Sequence, residues 1–296
     1  MAEPTLRKYP AEIFGLPYSD NSKEAKEIRE AQICPFLSDV CKKPRKSDPN
    51  TKVGICTVGY KGNHTNDYSP VIICPHRLEM SIIKKTIKEN YFPHVDSNEI
   101  YWLPEFHVTR TVGLFDYVAV HVEKRDNKTT INDFVCVELQ AAGTTGTPWN
   151  AVLDHKKTGK FAKSSYNYGI NWANEFAKTM MQQAYKKGLI VSSWNKKLVF
   201  VVQDIGLRYL EKNYDTSSLH SPKPGDPIEF CTLELVWDDA NNRWTLQFVR
   251  RVSTDEDGVR KMLGGVNQED YPTVDTVLTR IKDKIQNHRN QNSLEN

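Results

Sequence analysis

The sequence lacks several features that would assign it to a special class. No apolar run reaches the roughly 18 residues of a membrane span, so no membrane partner is expected. The first residues lack the basic and then apolar order of a signal peptide, which predicts a cytoplasmic protein. The net charge is only +3, too small to indicate a nucleic-acid partner by itself. The apolar fraction of 39% is that of a globular chain and excludes disorder.

The positive charges are clustered although the total is nearly balanced. Such clusters can line a groove for phosphates, whereas the plainer alternative is that each is a solvated surface. Their placement on either side of a proposed acidic site supports the first alternative, and both alternatives stay open for each cluster. The clusters are Lys42, Lys43, Arg45 and Lys46; Lys156, Lys157, Lys160 and Lys163; and Lys186, Lys187, Lys196 and Lys197.

Two regions of different composition divide the chain. Residues 1–30 are predicted to be a helical lead-in, with Ser22 capping a helix that begins at Lys23. Residues 31–78, here called the cysteine segment, are rich in turn-forming residues and carry four of the six cysteines. We therefore expect an N-terminal region over 1–95 and a larger core over 96–296.

The larger region alternates strand and helix patterns. A hairpin is predicted from 115–122 and 133–140, then a helix over 171–187 capped by Gly188. A strand covered on both faces follows at 197–204, then a strand pair at 230–237 and 243–249. The chain closes with a helix whose apolar stripe is Val274, Val277, Leu278, Ile281 and Ile285. These elements predict an α/β (α+β) fold with a mixed central sheet flanked by helices.

Four cysteines of the cysteine segment form a candidate metal site. In a cytoplasmic protein such a set favours a metal over disulfides, and four thiolates suit zinc or iron equally. The alternative is a set of unrelated buried cysteines. His64 or His76 could replace one thiolate, while Cys136 and Cys231 lie in strand patterns and are expected in the core. The four candidate ligands are Cys34, Cys41, Cys56 and Cys74.

The predicted hairpin brings two acids and an amide together. Positions whose numbers add to about 255 should lie opposite each other, which places Asp116 beside residues 138 to 140. Glu138 and Gln140 are two residues apart, so they leave the strand on the same face. Few hard oxygen donors at one point suit Mg²⁺, which lowers the pKa of bound water and neutralises charge on a phosphate. The alternative is that these acids are structural.

These residues together resemble the NotI family of restriction endonucleases. The resemblance rests on the four cysteines, on Asp116 and on the segment 137–149, which reads VELQAAGTTGTPW. It implies a nuclease core of the PD-(D/E)XK type, with Asp116 and Glu138 binding Mg²⁺ and Gln140 in the place of the usual lysine. It also implies iron on the four cysteines. A homodimer would cut a GC-rich palindrome in double-stranded DNA and leave 5′ overhangs, as part of a bacterial restriction system.

The DNA contacts are expected beside this site. The segment 144–163 follows the acidic strand directly, and its lysines and backbone amides can hold phosphates. Glu105 is a further candidate acid upstream, to which the resemblance assigns no role. Two other functions stay open: a different Mg²⁺-dependent nuclease, and a non-catalytic DNA-binding protein built on the metal site. The candidate DNA-binding residues are Lys42, Lys43, Arg45, Lys156, Lys157 and Lys160.

Overall fold

The computed structural model describes residues 3–61, 67–110, 113–125, 128–264 and 273–282. The strands are β1 (Pro10–Ile13), β2 (Leu16–Pro17), β3 (Ile33–Cys34), β4 (Asp39–Val40), β5 (Pro44–Arg45), β6 (Asp48–Lys52), β7 (Ile55–Lys61), β8 (Tyr68–Ile72), β9 (Ile100–Thr109), β10 (Gly113–Arg125), β11 (Lys128–Gln140), β12 (Thr144–Gly146), β13 (Tyr168–Ile170), β14 (Lys197–Gln203), β15 (Ile228–Asp238) and β16 (Arg243–Thr254). The α-helices are α1 (Lys23–Glu30), α2 (Met80–Tyr91), α3 (Trp149–Thr158), α4 (Met181–Ser193), α5 (Asp204–Asn213) and α6 (Glu256–Leu263). Short 3-10 helices lie at Pro75–Arg77 and Ser97–Glu99, and a π-helical segment at Ala173–Met180.

The N-terminal residues form a four-stranded sheet in the order β2-β1-β7-β8. The expected helical lead-in is wrong over residues 10–17, where two prolines and Gly15 at φ +71° favour a tight hairpin. The helix begins at Lys23 as predicted, and the Ser22 hydroxyl accepts a hydrogen bond of 3.1 Å from the Ala25 amide. The cysteine segment contributes β7 to this sheet, so part of it is buried in the common core.

A six-stranded mixed sheet in the order β16-β15-β14-β11-β10-β9 forms the centre of the protein. The predicted hairpin is β10 paired antiparallel with β11, and residues 126–127, where the sequence predicts part of its turn, lie outside the described residues. Strand β14 pairs in parallel with both β11 and β15, and six of its seven residues are buried. The predicted strand pair is β15 with β16. The chain therefore has the mixed α/β fold that the sequence predicted.

The π-helical segment and α4 cover one face of this sheet. Three apolar residues that lie four apart along these helices, Phe176, Met180 and Ala184, are buried. The predicted helix end at Gly188 is wrong, because the helix continues to Ser193 and buries Val191. A Cβ atom at position 188 would lie 2.4 Å from Cδ1 of Ile228. This glycine therefore allows close packing of helix on sheet and is not a cap.

The predicted C-terminal helix is present, but its apolar residues are exposed. A helix is present at 274–282, but its apolar stripe lies in solvent, with Val274 71% exposed; Ile285 lies outside the described residues.

The predicted boundary at residue 95 falls between α2 and β9, and the division into two domains stays a prediction. Across the described ranges, no helix has both the length and the apolar character needed to cross a bilayer.

Candidate active site

Two neighbouring strands bring Asp116 and Glu138 together. Tyr117 lies opposite Val137 and Val118 lies opposite Cys136, so Asp116 follows in register opposite Glu138, within one residue of the expected sum. The Leu139 amide donates a hydrogen bond of 2.8 Å to Oδ2 of Asp116. The main chain of one strand thus fixes the acid of the other at this end of the hairpin.

Glu138 is a buried acid, and only 5% of the residue is exposed. Burial raises the pKa of Glu138 to about 7, while the ammonium of Lys187 lowers it and the charge of Asp116 raises it further. Nζ of Lys187 donates to Oε1 of Glu138 at 2.5 Å and to the Leu114 carbonyl at 2.7 Å. The acid pair is therefore electrically coupled, and one positive charge stands directly beside it.

Gln140 follows Glu138 on the same face of β11, as the alternation of side chains along a strand requires. It is half-buried, and its Nε2 donates a hydrogen bond of 2.9 Å to the carbonyl of Ala141. The amide therefore bonds to its own chain neighbour at the point where the strand ends. It supplies polar atoms beside the acids without adding a charge.

Glu105 lies in β9, next to Asp116. Its neighbours Pro104 and Phe106 are opposite Tyr117 and Phe115, and its own backbone has a positive φ of 48°. Among the residues that the structure describes, no three His, Cys, Asp or Glu side chains are placed to hold a metal ion. Glu105 is therefore adjacent in the sheet but does not join the other two acids as a third ligand.

Sequence reasoning placed Lys187 in a basic surface cluster, and this is wrong. The residue is 9% exposed and stands on the sheet-facing side of α4, in phase with Ala184 and Val191. The signal was present in the sequence, because a lysine at that phase interrupts an apolar stripe. Two other members of that cluster also form ion pairs: Lys196 with Asp133 at 2.6 Å and Lys197 with Glu229 at 3.1 Å.

The four cysteines of the cysteine segment come into one neighbourhood. All are free thiols, and Cys34, Cys56 and Cys74 are buried. Burial raises the pKa of each of these three thiols, and their neighbours in the set raise it further, Cys41 among them. The Cys56 carbonyl accepts from the Ile73 amide at 3.0 Å, which brings two of the four together.

The metal assignment of these four positions stays a prediction. The soft donor set suits zinc or iron, yet the thiols are not among any group placed to hold an ion within the described ranges. His64 lies outside the described residues, and His76 is not part of any such group within them. Cys136 and Cys231 are buried in the core, as predicted. The thiol donors suit either metal, and the described positions of the side chains do not yet form a closed ligand group.

One predicted basic cluster lines a cleft, and Arg45 of another cluster contacts a residue of its wall without lining it. The Arg45 guanidinium lies 4.4 Å from the centre of the Trp149 ring, at the start of α3. Trp149 also lines a cleft of about 560 Å³. We call this space the basic cleft; its charged lining residues are Lys26, Arg29, Glu30, Lys52, Lys156, Lys157 and Lys160.

Lys42 and Lys43 do not line the basic cleft. Nζ of Lys42 bonds to Asp39 at 2.5 Å, and Nζ of Lys43 donates to the Ile73 carbonyl at 3.3 Å. Of the six candidate DNA-binding residues, three therefore line the basic cleft: Lys156, Lys157 and Lys160. Arg45 lies beside it, against the Trp149 ring. The other two lie apart from that cleft, next to the cysteines.

Comparison with known protein families gives a match that covers most of the chain. The model described as Restriction endonuclease NotI matches residues 21–213, well over half of the chain, so the protein is a restriction endonuclease, a site-specific nuclease that binds DNA. It belongs to the NotI family. No curated protein matches the chain. The match includes the acid pair, the cysteine segment and most of the basic cleft.

Proposed function

We propose that this enzyme is a type II restriction endonuclease that makes Mg²⁺-dependent double-strand cuts in a GC-rich palindromic site and leaves 5′ overhangs. The observation that carries the proposal is the acid pair, in which Asp116 and Glu138 are fixed across β10 and β11 at one end of the sheet. The GC-rich site and the overhangs follow from the family resemblance.

Mg²⁺ suits this pair by donor chemistry. Carboxylate oxygens are its preferred protein ligands, and it commonly uses one or two of them while keeping water in the other positions. The buried charge of Glu138 supports the assignment, because a cation beside the acid would offset the desolvation that raises its pKa. Asp116 and Glu138 would hold the ion, which would activate water and neutralise charge on the scissile phosphate.

The residues around the pair have distinct roles in this proposal. Asp116 is oriented by the Leu139 amide, and Glu138 is oriented by Lys187. Gln140, at the end of the same strand, orients the attacking water through its carboxamide without adding charge. Burial of Glu138 excludes bulk water from one side of the site, which strengthens every electrostatic interaction there.

The basic cleft is proposed to bind DNA phosphates. Six of its seven charged lining residues are cations, which favours a polyanionic ligand. Helix α3 follows β11 after a short strand, so three of the six lining cations lie in the chain soon after the acids, on α3 or just beyond it. Phosphate contacts of this kind fix the position of the duplex, while base contacts select the sequence. Lys42 and Lys43 stay as predicted contacts outside the cleft.

A homodimer is proposed because a two-fold enzyme matches a two-fold DNA site and cuts both strands symmetrically. Size-exclusion chromatography with light scattering gives the test, with a mass near 68 kDa expected for two chains of 34.0 kDa, roughly twice the chain as symmetry requires. A monomer at assay concentrations, in the presence of DNA as well as in its absence, would contradict the assignment.

Iron on the four cysteines is proposed from the sequence resemblance, with zinc as the alternative metal. The thiol donors suit both ions, and binding would draw the four side chains closer than they stand. Elemental analysis of the purified protein is the test, and about one iron per chain is expected for a site of this kind. A folded protein free of both metals would end the assignment.

The nuclease assignment is tested with plasmid DNA and Mg²⁺. Discrete fragments are expected, and sequencing of the cut ends then gives the recognised bases and the overhang. Random nicking would indicate a different Mg²⁺-dependent nuclease, and retarded but intact DNA would indicate a binding protein. Asp116→Ala and Glu138→Ala serve as inactive controls in the same assay.

A further inference from the structure

Lys187 is a buried cation that no sequence motif assigns to the site. Its ammonium bonds to Glu138 and to the Leu114 carbonyl, and it lies 5.3 Å from the centre of the Phe115 ring. Each of these three partners belongs to the β10–β11 hairpin, within two residues of Asp116 or at Glu138 itself. A residue of α4 is thus attached directly to the strand ends that carry the acids.

Burial of an ammonium group is expensive unless a charged partner offsets the lost hydration. Only 11% of the Lys187 side chain and 7% of the Glu138 side chain are exposed. An apolar residue at position 187 would continue the buried stripe of Ala184 and Val191 without that cost. Packing alone therefore does not explain a lysine on the sheet-facing side of α4.

The uncharged end of β11 points to that reason. Gln140 contributes no positive charge, and its amide bonds to Ala141. The positive charge beside the acid pair instead comes from the helix that covers the strand, at 2.5 Å from Oε1 of Glu138. A fixed cation in a site with little water acts strongly on charge that develops during phosphodiester hydrolysis.

We propose that Lys187 is the positioning lysine of this active site: it holds the Glu138 carboxylate against Asp116 from beneath the sheet, and it supplies the positive charge that Gln140 does not. The inference rests on the proposed nuclease function and adds a residue to it. Because Lys187 is buried under the acids and lies outside the basic cleft, it acts on the chemical step and not on DNA affinity.

The test compares Lys187→Met with Lys186→Met in the full-length protein. Lys186 is the adjacent residue of α4 and is exposed, so its substitution removes the same charge from the same helix without touching the acid pair. For Lys187→Met we expect kcat on a plasmid substrate to fall about 100-fold while KM for DNA changes less than about threefold, the size seen when one preorganised group is lost. Lys186→Met should change neither constant.

A second variant separates positioning from folding. Lys187→Gln keeps a donor for Glu138 without the charge, and thermal unfolding and circular dichroism show whether each variant is folded. We expect a folded Lys187→Gln protein to lose kcat nearly as strongly as the Met variant. Full kcat in a folded Gln or Met variant would overturn the inference, as would a loss that appears only in KM.

The outcome is distinguishable from failure of the proposed function. If the unaltered enzyme does not cut DNA in Mg²⁺, the nuclease proposal fails before Lys187 is examined. If it cuts and the folded Lys187 variants cut equally fast, the nuclease proposal stands and the role of Lys187 is wrong.

Discussion

The end of the β10–β11 hairpin and the cysteine segment are two clusters of ligand-type residues that differ in how they are held. In the hairpin, strand register and the Leu139–Asp116 hydrogen bond fix the acids. In the cysteine segment only Cys56 lies in a longer strand, β7, while Cys34 lies in the two-residue β3 and Cys41 and Cys74 lie outside the strands. The strands β3 to β6 form only two-stranded sheets. A ladder of main-chain bonds sets a geometry by itself, whereas loops depend on what they bind.

The largest effect is expected from breaking the ordered cluster. Glu138→Gln and Asp116→Asn should each lower cleavage by 1,000-fold or more, an effect on the order of 4 kcal/mol, because each removes a proposed ligand of the activating cation. The matched control is Glu123→Gln, which changes an acid at the other end of the same strand β10. The measurement is the plasmid cleavage rate, with DNA binding determined in parallel by gel retardation.

Equal rates for the Glu123 and Glu138 variants would show that the acid pair is structural. If the pair instead governs DNA affinity, the Glu138 and Asp116 variants would lose retardation in proportion to cleavage.

The cysteine segment should show the second largest effect, on metal content and stability. Cys56→Ser is expected to lose the bound metal and to lower the melting temperature by about 5 °C or more, because binding energy there is folding energy. Cys231→Ser is the matched control, since Cys231 is equally buried but lies in the central sheet. Elemental analysis and thermal unfolding are measured for both variants.

A protein that contains no metal, or one in which both serine variants keep the same metal content, would contradict the metal assignment. It would also mean that the cysteine segment is held by packing, as the burial of three of its cysteines permits.

Features set by local sequence patterns could be predicted, whereas contacts between distant parts of the chain could not. The hairpin was predictable because a two-residue period and a polar turn determine which numbers lie opposite each other, so Asp116 and Glu138 could be paired in advance. The continuation of α4 beyond Gly188 was not predictable, because it depends on the contact with Ile228, which is distant in the chain. Lys187 was misplaced for the same reason: its partner Glu138 is a tertiary neighbour.

The next largest effect is expected from the basic cleft, which neither the acid pair nor the four cysteines line. Changing Lys156, Lys157 and Lys160 together to alanine should weaken DNA binding about 10- to 100-fold at moderate salt and lower the salt slope by about 1 for each lost phosphate contact. Lys186→Ala is a suitable single-site control, since that lysine is exposed on α4 and does not line the cleft. Titrations of labelled duplex at several salt concentrations give both quantities.

An unchanged salt slope in the triple variant would mean that these lysines are only a solvated surface. In that case the contacts with DNA would have to lie elsewhere on the protein.

The smallest effect is expected from pH, and it sharpens the comparison because the hairpin cluster contains the acid with a pKa near neutrality. Burial raises the pKa of Glu138 to about 7, so a proton occupies this acid increasingly as the pH falls below that value. A proton and Mg²⁺ then compete for one carboxylate, so at limiting Mg²⁺ cleavage should fall up to about tenfold per pH unit below 7. At saturating Mg²⁺ the midpoint should move to lower pH.

In the metal-free protein, the pH dependence of stability has the opposite sign to the pH dependence of cleavage. A carboxyl whose folded-state pKa is raised contributes stability that is fully present below its unfolded pKa and is lost as the pH rises through about 7. Melting temperatures between pH 5 and 8, a window of roughly the width over which such a group titrates, should therefore decline with pH in the unaltered chain and less steeply in Glu138→Gln. Identical profiles for the two proteins would show that Glu138 does not titrate in this window. A pH midpoint of cleavage that does not change with the Mg²⁺ concentration would show that Glu138 does not bind the cation.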